Sequence, residues 1–137
     1  MNNLIAFLNS QRAIGYLILR VLGGYILLWT GYQKLFEAGF AGTIEAFGKM
    51  GIVVPQVTGP FIALLEFFGG AAIILGLVTR YLGVLFVIEF IVAFFAVKIG
   101  SGYVNFRIDL ALFSFAVLWA THGAGEYSLD RTLKLEK

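Results

Sequence analysis

The chain of 137 residues is 60% hydrophobic and 13% charged, whereas a soluble domain carries about a quarter charged residues. A chain this small cannot bury that much apolar surface in one core, so it reads as a single-domain (1–137), all-α membrane protein. A net charge of +2 with no basic run excludes the footprint of a nucleic-acid binder, and the lack of cysteine excludes disulfides, thiol redox chemistry, Cys-held iron–sulfur clusters and c-type haem.

Four apolar runs predict four transmembrane helices in an up-and-down bundle, over about 13–34, 60–78, 81–99 and 104–122, since a span needs about 20 mainly apolar residues. A stretch such as "VLFVIEFIVAFFAV" (84–97) does not alternate as a barrel strand must. The first span carries Arg20 and has no small-residue cleavage site, so it is expected to be a retained anchor. Its Arg20, Gly24, Leu27, Gly31 and Lys34 share one helical stripe. In the following link, "GTIEAFGKMGI" (42–52) sets Ile44, Phe47 and Ile52 against Glu45 and Lys49. That pattern predicts a short interfacial helix between spans one and two.

Pro55 and Pro60 bracket the approach to span two, with Pro60 expected in its first turn. Glu66 shares a face with Gly69, Gly70, Ile73 and Gly76, and small residues on both stripes predict a close contact between spans one and two. Thr79 and Arg80 nearly complete the turn into span three, which makes spans two and three antiparallel neighbours. Span three carries Glu89 and ends at Lys98. Span four opens on Arg107 and Asp109 and closes at Trp119, His122, Gly123 and Gly125. Trp29 and Trp119 are expected at opposite interfaces, with His122 also interfacial. The tail "SLDRTLKLEK" (128–137) reads as a surface helix or a frayed end. Arg12, Arg80, Arg131, Lys134 and Lys137 on one side face Lys34, Lys49, Lys98 and Arg107 on the other, a weak bias that favours both termini in the cytoplasm.

Charges in a span are costly and are functional candidates. Counted from the predicted helix starts, they fall into two layers. Arg20 and Glu89 lie roughly 10 and 12 Å in from the same side, and are expected to form an ion pair, either fixing helix register or serving a function. Glu66 lies roughly 8 Å in from the other side, with Lys34, Asp109, Arg107 and Lys98. Lys34 is its expected partner, because side chains lean toward their own helix N-terminus and Arg20 would lean away. Glu66, Lys34 and Asp109 are the candidate proton-handling residues. Glu66, Lys34, Tyr32 and Arg107 are the candidate surroundings of a quinone head group. Anchoring at the interface is the competing role for this layer. One histidine, no metal-ligand spacing and no glycine-rich phosphate loop lead us to expect no metal and no tightly bound cofactor.

"RVLGGYILLWTGYQKLF" (20–36), "LLEFFGGAAIILGLVTRYLG" (64–83) and "GAGEYSLDR" (123–131) resemble the DoxX family of small four-helix membrane proteins. The resemblance covers most of the chain and carries over Arg20, Lys34, Glu66 and Asp109 as candidate functional residues; Glu89 is outside the family pattern. It implies a multi-pass protein of a prokaryotic inner membrane. Some relatives are subunits of thiosulfate:quinone oxidoreductase, and others scaffold membrane redox complexes. The implied role is an integral membrane subunit of a quinone-linked or other oxidoreductase complex, with quinone the one candidate cofactor. The implied partners are the lipid bilayer and other subunits or further copies of the chain. The alternatives are a non-catalytic scaffold subunit, or a small-molecule or proton carrier working as an oligomer. Whether the chain is itself an enzyme is left open.

Overall fold

The computed structural model describes residues 1–100 and 102–135, with Lys98 described by its backbone alone. The described residues form helices α1 (Asn2–Ser10), α2 (Arg12–Tyr32), α3 (Gly39–Lys49), α4 (Pro55–Leu75), α5 (Thr79–Ala93), α6 (Tyr103–His122) and α7 (Leu129–Thr132), with no strand among them. Single π-helical turns prolong α2 over Gln33–Glu37 and α5 over Phe94–Lys98. Among the described residues, four helical segments are long and apolar enough to cross a membrane: Arg12–Glu37, Pro55–Leu75, Thr79–Val97 and Tyr103–His122. The short helix between the first two is α3, which buries Thr43 and Phe47. Helix α1 was not expected; its Leu4, Ile5, Phe7 and Leu8 are all exposed.

The long helices close on each other where glycine removes the side chain. A Cβ on Gly31 would stand 2.2 Å from the Phe67 nitrogen, and one on Gly70 would stand 2.4 Å from the Leu28 nitrogen, so α2 and α4 meet backbone to backbone. The same device joins α5 to α6, where a Cβ on Gly83 would be 2.4 Å from the Ala120 nitrogen. Both predicted glycine stripes therefore face a neighbour inside the chain. Between α4 and α5 the contact is sparse, although the two are joined by only Gly76, Leu77 and Val78. That turn is set by Gly76 in the left-handed region (φ 69°). Gly76 N–H donates to Ile73 (3.0 Å) and Leu77 N–H to Ala72 (2.8 Å), a Schellman closure that satisfies the last carbonyls of α4.

Two placements correct the sequence reading. Helix α4 begins at Pro55, its first residue, and Pro60 lies inside it. The ring needs only one carbonyl of the first turn left without its usual donor. Trp119 is not interfacial: it is fully buried among Phe86 and Phe115, in the core shared by Leu27, Ile73, Phe90, Leu112 and Ala116. Gly23 makes the room, since a Cβ there would lie 2.7 Å from the Trp119 ring. Trp29 is half-exposed. The tail forms α7, capped by Ser128, which accepts from Arg131 N–H at 3.3 Å; residues 136 and 137 lie outside the described residues.

Candidate functional site

Lys34 sits in the π-helical turn at the end of α2. Such a turn breaks the regular i→i−4 pattern and recurs at functional sites. The Lys34 carbonyl accepts from the buried Thr43 hydroxyl at 2.9 Å, which ties α3 over this turn. The Lys34 ammonium is ion-paired and hydrogen-bonded to Glu66 of α4. The Glu66 side chain is 8% exposed and that of Lys34 27%.

Glu66 has a second neighbour. The Glu89 carboxyl of α5 stands within hydrogen-bonding reach of it. A hydrogen bond between two carboxyl groups requires a proton on one of them. Glu89 Oε2 is buried and accepts no hydrogen bond from the described residues. Glu89 belongs to the layer of Glu66 and not to that of Arg20. Glu66 lies eleven residues beyond Pro55 and Glu89 ten beyond Thr79, roughly 16 and 15 Å into their helices. Entering from opposite sides, the two meet near mid-depth. A count from Phe61 makes Glu66 too shallow, because α4 begins at Pro55.

Lys34, Glu66, Glu89 and Asp109 all line one cavity of about 400 Å³. Ligand pockets run from about 300 to 1,000 Å³. The rest of its wall is mainly apolar, including Phe61, Leu65, Leu85, Ile88 and Val92. Of the residues expected around Glu66, Lys34 and Asp109 are brought to this cavity, while Tyr32 and Arg107 are not among its lining residues. Tyr32 is part of an outer ladder of rings, stacked 5.5 Å from Trp29 and tilted against Phe36 at 5.1 Å. Arg107 is exposed. The Lys98 side chain lies outside the described residues. Among the described residues, no three His, Cys, Asp or Glu side chains are gathered to hold a metal ion.

Arg20 does not pair with Glu89. Its guanidinium, 2% exposed, donates to the carbonyls of Ala124, Tyr127 (2.6 Å) and Ile74 (3.3 Å), with the Asp130 carboxylate nearby. Asp130 is fully buried and accepts from Val78 N–H (2.7 Å) and Thr79 N–H (3.0 Å). It thereby satisfies donors left open at the start of α5. The Asp130 N–H donates to Gly76 O at 2.9 Å, and the Tyr16 hydroxyl donates to Gly123 O. His122 is exposed, with its ring 4.5 Å from Tyr16. Arg20 and Asp130 thus clasp the C-terminal segment onto the turn between α4 and α5. The signal in the sequence is "GAGEYSLD" (123–130): a glycine-broken stretch leaves carbonyls unpaired, and a buried arginine brings five donors.

Comparison with known proteins fits this arrangement. "Putative oxidoreductase CatD" of Bacillus subtilis (strain 168) is 35% identical over 124 residues, covering 90% of this chain and 90% of that protein. "Inner membrane protein YqjF" of Escherichia coli (strain K12) is 35% identical over 127 residues, covering 88% and 92%. "Inner membrane protein YphA" of the same organism is 29% identical over 143 residues, covering 96% and 99%. No solved structure matches. The sequence profile of DoxX matches residues 15–99, which hold Arg20, Lys34, Glu66 and Glu89. The chain is a membrane protein of the DoxX family.

Proposed function

We propose that the chain is an inner-membrane subunit of a quinone-linked oxidoreductase complex, with the quinone head group in the cavity bordered by Lys34, Glu66, Glu89 and Asp109. The observation that carries this reading is the make-up of that cavity, where one ammonium and three carboxyl groups from separate helices meet at the edge of an apolar chamber. Its wall includes exposed Phe61, Leu85, Ile88 and Val92 on the membrane-spanning surface, which suits a molecule arriving from lipid. An oxidoreductase name on one relative and inner-membrane names on two others support the reading.

A bound quinone supplies a carrier of two electrons and two protons, and the electrons come from a redox centre of a partner subunit. The donor set fits such a molecule: Lys34 would offer N–H groups to a ring oxygen, and Glu89 lines the same cavity. Lys34 also counters the charge of Glu66. Glu66 and Glu89 would border the head group, where a carboxyl group could give a proton to a ring oxygen or take one from it. Asp109 and the partly exposed Lys34 connect this pair toward water. Both termini are cytoplasmic in this reading, and a reporter fused to the C-terminus tests that side.

Purification in mild detergent is the functional test. A redox enzyme should co-purify, and the complex should reduce a short-chain benzoquinone. General acid–base groups contribute about 10²–10⁴-fold, so Glu66→Gln should slow turnover by at least about tenfold. Full turnover in that variant removes the proton role. Recovery of the chain without a redox partner removes the subunit role and leaves a scaffold or an oligomeric carrier.

A further inference from the structure

We infer that the seam between α4 and α5 is a groove for the apolar tail of the molecule whose head group occupies the carboxyl cavity. This rests on the head-group reading above and adds where the remainder of the molecule lies. A shallow groove of about 390 Å³, open on the helix surface, lies along that seam, and its lining contains no charged side chain. Phe61 and Leu65 line both this groove and the polar cavity, so the two adjoin along these side chains. On α4 the shared stripe is Phe61, Leu65, Phe68 and Ala72, at three- and four-residue spacing. On α5 it runs from Val78 and Leu82 in the apolar part to Leu85, Glu89 and Val92 in the polar part. Phe61 to Ala72 covers eleven residues, roughly 16 Å of helix.

The seam stays open for a sequence reason. The tight contacts within the chain are the glycine crossings of α2 with α4 and of α5 with α6. Along the α4–α5 seam, Gly69 meets the Phe86 ring, where a Cβ would stand 2.9 Å away, and Gly69 and Ala72 add little bulk of their own to the groove. Exposed Leu64, Phe68 and Val78 form its rim.

The occupant is an isoprenoid tail rather than the acyl chain of a phospholipid. The polar end of the groove is Glu66 and Glu89, near mid-depth in their helices. A phospholipid keeps its charged head at the membrane surface, since charge at mid-depth is costly. An uncharged quinone ring can reach that level.

The test uses the full chain in lipid nanodiscs with a benzoquinone bearing a diazirine at the end of a short isoprenoid tail. Photolysis should label Ala72, Val78 and Leu82, and unlabelled quinone should compete. Ala72→Phe, or Leu82→Trp should the first variant fold poorly, should cut this labelling at least about tenfold, a change of about 1.4 kcal/mol. Either variant should leave binding of a tail-less benzoquinone within about twofold. Labels spread over Ile18 and Leu22 on the far surface, with tail-less binding intact, overturn the groove and leave the head-group site standing. Equal, uncompeted labelling of the groove by a diazirine phosphatidylcholine also overturns it. Failure of tail-less benzoquinone to bind the wild-type chain overturns the head-group site, and the groove with it.

Discussion

Replacing Lys34 should cost more than replacing its partner Glu66. The two side chains are paired at 27% and 8% exposure. Removing one member of a buried pair costs about 3–5 kcal/mol, and the partial exposure of Lys34 lowers this through solvent screening. Lys34→Met leaves Glu66 without its ammonium partner on a cavity it shares with Glu89, and should cost about 2–3 kcal/mol. Glu66→Gln leaves Lys34 with two other carboxyl groups on the same cavity, and its new amide can donate to Glu89. Its cost should be about 1 kcal/mol. The double variant should cost about 2 kcal/mol, which makes the coupling roughly 1–2 kcal/mol. Reversible unfolding by SDS in mixed micelles, followed by tryptophan fluorescence and helicity, measures all four proteins. Costs that simply add, or a Lys34→Met within about 0.5 kcal/mol of wild type, refute the reasoning.

The C-terminal clasp gives the next expectation. Asp130→Ala removes a cap and strands two N–H donors, so it should cost about 2–3 kcal/mol, with Asp130→Asn near 1 kcal/mol; equal costs in the same unfolding assay contradict the capping role. Gly70→Val should fail to give a monodisperse protein in detergent, because a Cβ there would lie 2.4 Å from backbone, whereas Gly15→Ala, with nothing within 4 Å, should stabilise by about 0.5–1 kcal/mol. A well-behaved Gly70→Val excludes the close α2–α4 crossing. Thr43→Val should cost about 1 kcal/mol and speed hydrogen exchange of the α3 amides, and unchanged exchange argues against the tie from Thr43 to the Lys34 carbonyl.

The membrane class and the order of the long helices were legible because apolar runs of span length have few other solutions in so short a chain. The contact of α2 with α4 was legible from Gly24, Gly31 and Gly70, since glycines on facing stripes have a packing use. So was the pairing of Lys34 with Glu66, from the direction in which helical side chains lean. Glu89 was misplaced for a geometric reason: its level depends on where α4 begins, and Pro60 can stand either in a first turn or within a helix. Arg20 was misjudged because its partners are backbone carbonyls of a polar tail, which carry no side-chain signature. Trp119 was misjudged because an aromatic ring near a helix end suits both an interface and a core, and only the space left by Gly23 decides between them. The π-helical turn at Lys34 has no distinct composition in "QKLFE" (33–37), so the cavity edge it shapes could not be drawn in advance.

The central claim is that the mid-depth cavity receives a quinone head group through Glu66 and its neighbours. Calorimetric titration of the purified chain in mild detergent with a tail-less benzoquinone, beside Glu66→Gln and the distant Gly15→Ala, tests it most directly. Binding should be saturable at one site, with a Kd raised at least about tenfold by Glu66→Gln, equivalent to about 1.4 kcal/mol, and unchanged in Gly15→Ala. Absence of saturable binding to the wild-type chain, or the same Kd in all three proteins, would contradict it.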